Sequence, residues 1–189
     1  MVSLVPLTQP TNSTDSQAVK VANAQSGGIE RCVITINPTS HRADEVVEVT
    51  PENSTFNCFD NLEDYVAFRT DGKVQLPANA TQHQADALLR QHASLLGGYL
   101  LARFYEHPSY VGSFIEIIYT FNCGSYWIPN FSDYGSNWQN RISSIRTYSA
   151  CSRVQIFNLP YYTGYSGWCY GDCASLGAFD DDVKSAIIN

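Results

Sequence analysis

The sequence predicts an all-β sandwich over residues 99–189, preceded by a small disulfide-stapled α+β segment at 29–98 and a mobile N-terminal tail at 1–28. Three observations predict it. Of the 3 Trp, 12 Tyr and 9 Phe in 189 residues, only Phe56, Phe59, Tyr65 and Phe68 precede residue 99. Helical periodicity stops at the same place, and short aromatic or β-branched runs separated by Gly, Pro, Asn and Ser replace it. Gly97-Gly98 marks the change as a domain boundary.

The tail is rich in Thr, Ser, Asn and Gln and ends in Gly27-Gly28, a composition too polar to bury a core. Cys32–Ile36 and Glu45–Thr50 have the β-branched density of strands. Asp60 is the expected N-cap of a helix carrying Leu62, Tyr65, Val66 and Phe68, which stops at Asp71-Gly72. Thr81 caps a second helix, from Gln82 to about His92, with Ala85, Leu88 and Leu89 on one face. Beyond Tyr99 the expected strands are Leu100–Tyr105, Ser113–Tyr119, Ser125–Ile128, Ile142–Tyr148, Arg153–Phe157 and Val183–Ile188, a pattern of short strands and frequent turns that suits a sandwich.

Composition excludes several classes. With 11 basic against 18 acidic residues the net charge is −7, which disfavours nucleic acid as a partner and favours a cation or a basic surface. There is no run of about 18 apolar residues, so no membrane span is expected. The six cysteines, Cys32, Cys58, Cys123, Cys151, Cys169 and Cys173, lack the paired spacing of a zinc site. They read as three disulfides made in an oxidising compartment, and sequence neighbourhood favours Cys32–Cys58, Cys123–Cys151 and Cys169–Cys173. Met1–Leu7 has neither a basic n-region nor an adequate apolar stretch, so a mature secreted, extracellular chain is the expectation. Sequons at Asn12, Asn53, Asn79 and Asn130 agree with a glycosylating host.

The second half is written twice. Tyr105-Glu-His-Pro-Ser-Tyr110-Val-Gly112 is an aromatic-x4-aromatic-x-Gly motif, and Phe157-Asn-Leu-Pro-Tyr-Tyr162-Thr-Gly164 repeats it. Each is followed by an amide or acid pair and then hydroxyls: Gln139-Asn140-Arg-Ile-Ser143-Ser144, and Asp181-Asp182-Val-Lys-Ser185-Ala186. This doublet resembles the βγ-crystallin superfamily, in its secreted microbial form, over nearly half the chain.

The resemblance implies two Greek-key motifs forming a βγ-crystallin-like sandwich, with two calcium ions at one edge. It implies hydroxyl ligands from Ser143 and Ser185 and side-chain oxygens from Asn140, Asp181 and Asp182. Carbonyl ligands are implied at Arg141, Val183, Glu106 and Asn158. Calcium suits such a loose shell of neutral and anionic oxygens. Two departures stand out: Gln139 occupies a position of Asn or Asp, and Ala186 replaces the final Ser. A tighter site using Asp181 and a weaker one at Gln139-Asn140 are therefore expected.

No catalytic residues are assigned. His107 beside Glu106 is a surface-loop histidine, Gly164-Tyr-Ser-Gly167 lacks the spacing of a nucleophile elbow, and no phosphate-cradling loop occurs. The expected function is non-enzymatic: a secreted calcium-binding protein with a structural or stress-protective extracellular role. The alternatives are a secreted proteinase inhibitor, whose partner is an extracellular protease, and a secreted toxin or antimicrobial protein. Fold alone does not choose among them.

Overall fold

The structure, a computed structural model, describes residues 28–37, 45–92, 97–135 and 138–189. The tail expected at 1–28 lies outside the described residues except for Gly28. Ten strands are described: β1 (Arg31–Ile36), β2 (Val46–Glu48), β3 (Ser54–Phe59), β4 (Tyr99–His107), β5 (Val111–Tyr119), β6 (Ser125–Ile128), β7 (Ser144–Thr147), β8 (Arg153–Phe157), β9 (Ser166–Tyr170) and β10 (Ser185–Ile188). Two helices, α1 (Leu62–Thr70) and α2 (Gln82–Gln91), lie between β3 and β4.

The strands form two five-stranded sheets, ordered β3-β1-β5-β4-β7 and β2-β6-β10-β8-β9. Each half of residues 99–189 gives three strands to one sheet and reaches across to the other. In the first half, β5, β4 and β7 pair antiparallel while β6 crosses to pair with β10. In the second half, β9, β8 and β10 pair antiparallel while Cys173 crosses to bridge Ile145. This exchange is the wiring of two interlocked Greek keys.

Residues before 99 complete the same sheets. β1 runs parallel to β5 and antiparallel to β3, and β2 runs parallel to β6. Ile34 and Val47 share the inter-sheet core with Phe104, Phe131, Trp138 and Val154. The boundary expected at Gly97-Gly98 therefore falls between strands that share the same two sheets. The physical reason is edge completion: without β1 and β2, the backbone groups of β5 and β6 would face outward unpaired.

Those helices form a third layer. α1 and α2 pack on the outer face of the first sheet, where Leu62, Tyr65, Val66, Ala85 and Leu89 meet Val33, Phe114 and Ile118. Strands β1 and β5 are thus covered on both faces, which is why they read as almost unbroken apolar runs. Alternation sends Ile115, Ile117 and Tyr119 toward the second sheet, and Phe114 and Ile118 toward the helices. Asn61, one residue beyond the expected cap, begins α1 by accepting from the Asp64 amide at 2.7 Å. Thr81 and Gln84 form a reciprocal capping box on α2. The strands β3 and β9 were not anticipated.

All three expected disulfides are present: Cys32–Cys58 links β1 to β3, Cys123–Cys151 links two loops, and Cys169–Cys173 closes a tight loop after β9. Among the described cysteines none is free.

Candidate functional site

The two hairpins that open the Greek keys are built alike. Tyr105 meets Tyr110 edge-on with ring centroids 5.7 Å apart, and Phe157 meets Tyr162 in the same way at 5.8 Å. Each turn holds two consecutive non-glycine residues at positive φ, Ser109 and Tyr110 in one and Tyr161 and Tyr162 in the other. Gly112 and Gly164 follow at φ 83° and 77°, where a side chain is strained. A Cβ on Gly112 would also stand 2.8 Å from the His107 ring. His107 therefore packs over its own turn.

Hydrogen bonds fix the equivalence of the two motifs. The Ser144 hydroxyl donates to the His107 carbonyl (2.6 Å) and accepts from the Tyr110 amide (3.1 Å). The Ser185 hydroxyl donates to the Leu159 carbonyl (2.8 Å) and accepts from the Tyr162 amide (3.0 Å). One residue earlier, the Ser143 amide donates to the Tyr105 carbonyl, and the Lys184 amide donates to the Phe157 carbonyl. Ser185 thus corresponds to Ser144, Lys184 to Ser143, Asp182 to Arg141, Asp181 to Asn140 and Asp180 to Gln139.

This corrects the reading of the second motif by one residue. Ser185 is fully buried, with its hydroxyl committed to the hairpin, so it is not a metal ligand. The residue matched to the Ser143 hydroxyl is Lys184. Ala186 is not a departure from the motif: it occupies the strand position of Ile145, and both are buried in the core. The expected contrast between Gln139 and Asp181 becomes one between Asn140 and Asp181.

The remaining candidate ligands fall into two environments. Across the two motifs, the Ser143 hydroxyl donates to Asp181 Oδ1 at 3.0 Å, while the Asp181 amide donates to the Ile142 carbonyl at 3.1 Å. Asp181 holds φ at 55°, a left-handed conformation that Asp tolerates better than most residues. Beside it, Lys184 Nζ donates to the Asn158 carbonyl (2.9 Å) and to Asp182 Oδ1 (2.8 Å). Asp182 Oδ2 accepts from the Tyr165 hydroxyl at 2.7 Å. The Lys184 and Tyr165 bonds hold the Asp182 carboxyl below its ordinary pKa. Asn158 Oδ1 accepts from the Tyr165 amide, and the Val183 side chain lies in the core.

In the first motif, Glu106 takes the place of Asn158. It accepts from Arg141 Nε at 2.8 Å and from the Ser113 amide at 3.1 Å. Arg141 also donates to Glu30 and Ser113, and its guanidinium lies 4.8 Å above the Trp138 ring. Burial pushes the Glu106 carboxyl up, but the bonds from Arg141 and Ser113 outweigh it and hold the pKa at about 2. Asn140, exposed at the end of a short 3-10 turn, lies at the position matched to Asp181.

The donor set therefore suits calcium in one place and not in the other. Ser143 and Asp181 offer neutral and anionic oxygens from two motifs, the mixture a hard dication takes. In the second motif the position matched to the Ser143 hydroxyl is Lys184, whose ammonium donates to Asn158 and Asp182, and in the first motif Arg141 already pairs with Glu106. A further group of metal-capable side chains, Glu30 with Cys32 and Cys58, contains a disulfide and so offers no thiolate.

A second polar cluster, missed in the sequence, lies beneath the helices. Glu116 is fully buried on β5 and faces α1. It accepts from Arg69 Nη1, from Arg103 Nε (2.8 Å) and Nη2, and from the Tyr65 hydroxyl (2.8 Å). Arg103 also donates to both oxygens of Asp86 on α2. Burial pushes the Glu116 carboxyl up, but Arg103 and Arg69 prevail and hold it below the usual range. Single charges within apolar strand runs, Glu116 in Phe114–Tyr119 and Arg103 in Leu100–Tyr105, were the available signal, because a charge is buried only with partners.

Comparison with solved structures finds βγ-crystallin domains over about half of this chain. One from Clostridium beijerinckii is 20% identical, covering 47% of this chain and 95% of that chain at a TM-score of 0.37. A βγ-crystallin from Ciona intestinalis is 18% identical over 45% of this chain and 94% of that chain, at 0.35. The N-terminal domain of protein S is 15% identical over 47% and 94%, at 0.38. No protein-family model and no curated protein matches. The assignment of two Greek keys rests on this chain's own strand order and hairpin bonds.

Proposed function

We propose that this chain is a secreted, non-enzymatic βγ-crystallin-like protein with a structural extracellular role, and that it binds one calcium ion through Asp181 and Ser143. The observation that carries the reading is the 3.0 Å approach of the Ser143 hydroxyl to Asp181 Oδ1 across the two motifs. Asp180 adds negative charge beside it. Three disulfides support an oxidising compartment. The Lys184 ammonium stands where the second site's hydroxyl would be, so the second site is closed by the protein's own cation.

Thermal melting in calcium and in chelator tests the site. For a dissociation constant of about 100 μM and 2 mM free ion, mass action adds roughly 1.8 kcal/mol. That corresponds to an increase of about 4–7 °C in melting temperature at this chain length. Asp181→Ala is expected to remove the increase, its curves in calcium and in chelator coinciding at a melting temperature a few degrees below the wild-type curve in chelator, because alanine is strained at this positive φ. Identical curves with and without calcium for the wild-type protein would overturn the reading.

A further inference from the structure

The helical layer borders a half-open cavity of about 600 Å³ against the outer face of the first sheet. That is the size of a small-molecule pocket, and it lies away from the hairpin edge that carries the proposed calcium site. Its described walls come from α1, α2, Gly97-Gly98 and β4, and the loops that follow β5 and β7. Leu89, Tyr99, Leu100 and Tyr148 supply apolar and aromatic surface. Three arginines, Arg69, Arg90 and Arg103, line it with a single carboxylate, Asp86.

The charge balance is unusual for this molecule. Counting Glu116, which lies behind the wall against Arg69 and Arg103, the cavity still carries one net positive charge in a chain of net charge −7. The three guanidiniums are not equally occupied. All nitrogens of Arg103 donate to Glu116, Asp86, Tyr65 or Tyr105. Arg69 is 4% exposed, yet among the described residues only its Nη1 is bonded, to Glu116 and Tyr65. Arg90, exposed in the last turn of α2, has no carboxylate partner among the described residues. The remaining Arg69 donors are not sealed without a partner but open onto the cavity, and a carboxylate is the acceptor a guanidinium matches best.

We propose that this cavity is a binding site for a small amphiphilic anion, one carboxylate on an aliphatic or aromatic body. The carboxylate is received by Arg69 and Arg90, and the body lies against Leu89, Leu100 and Tyr148. Asp86, held by Arg103, closes the polar end against a second negative charge and so selects a monoanion. A neutral ligand of the same shape would leave the arginines without an acceptor.

Calorimetry with octanoate, and with 1-octanol as its uncharged counterpart, tests the proposal on the intact protein. Octanoate is expected to bind saturably at one site per chain, at least tenfold more tightly than 1-octanol. Arg90→Glu and Thr120→Trp, both at exposed positions beside the cavity, remove a cation and obstruct the opening. Each is expected to weaken octanoate at least tenfold, with circular dichroism verifying the fold. Absence of saturable octanoate binding would overturn the proposal. So would equal affinity for 1-octanol, or octanoate affinity unchanged in both variants, which would place binding elsewhere on the surface.

Discussion

Replacing Glu116 with glutamine is expected to lower stability by about 3–5 kcal/mol, the cost of leaving buried charge without its partner. Glutamine keeps the shape and volume, so packing is nearly unchanged. What disappears is the anion that compensates Arg69 and Arg103, both almost completely buried. Only Asp86 then remains to balance two guanidiniums. Denaturant unfolding measures the loss, and it should come with a fall in melting temperature on the order of 10 °C. A loss under about 1 kcal/mol would show that water or rearranged side chains replace the carboxylate.

The pH dependence has a definite sign. The Glu116 pKa is depressed on folding, so below the ordinary glutamate value the unfolded chain binds more protons than the folded one. Its contribution is complete above that value, 4.5, and is lost as pH falls through the folded value. The stability gap between wild type and Glu116→Gln should accordingly narrow in acid.

Removing the Cys32–Cys58 bridge is the second large effect. The bonded residues are 26 apart in sequence, and closing such a loop stabilises by about 3.5 kcal/mol in the chain-entropy model. The double replacement Cys32→Ala/Cys58→Ala should lower the melting temperature by about 7–14 °C. The form of the transition matters as much as its position. Because β1 pairs with β5 and Cys32 lies in the same core as Phe104 and Val154, the whole described structure should unfold in one shifted transition. Two transitions, with residues 99–189 melting as in the wild type, would restore the domain boundary that the sheet order removes.

The sequence showed most of what local chemistry dictates. The aromatic-x4-aromatic-x-Gly hairpins, β8, the Thr81 cap and the disulfides are each set by neighbouring residues. β3 and β9 escaped notice because Ser54–Phe59 and Ser166–Tyr170 are edge strands mixed with amides, hydroxyls and glycine, without the apolar alternation that marks a half-buried strand. The parallel pairings of β1 with β5 and β2 with β6 join segments far apart in the chain, and no local pattern encodes them. The register of the second motif was ambiguous for a specific reason. Three consecutive acids, Asp180 to Asp182, fit an acidic pair in two ways, and only the bonds of Ser185 to Leu159 and Tyr162 choose between them. The Glu116 cluster unites residues of α1, α2, β4 and β5, so its charges were visible but its partners were not.

Calcium stoichiometry of Lys184→Ser, measured by calorimetry beside the wild-type protein, tests most directly whether a built-in cation closes the second site. In the wild type, Lys184 replaces the hydroxyl matched to Ser143 and its ammonium engages Asn158 and Asp182. Serine there restores an oxygen ligand and removes a positive charge that repels a dication. The account predicts one calcium ion per chain for the wild type and two for Lys184→Ser. Two ions bound by the wild type, or a stoichiometry that Lys184→Ser leaves unchanged, would contradict it.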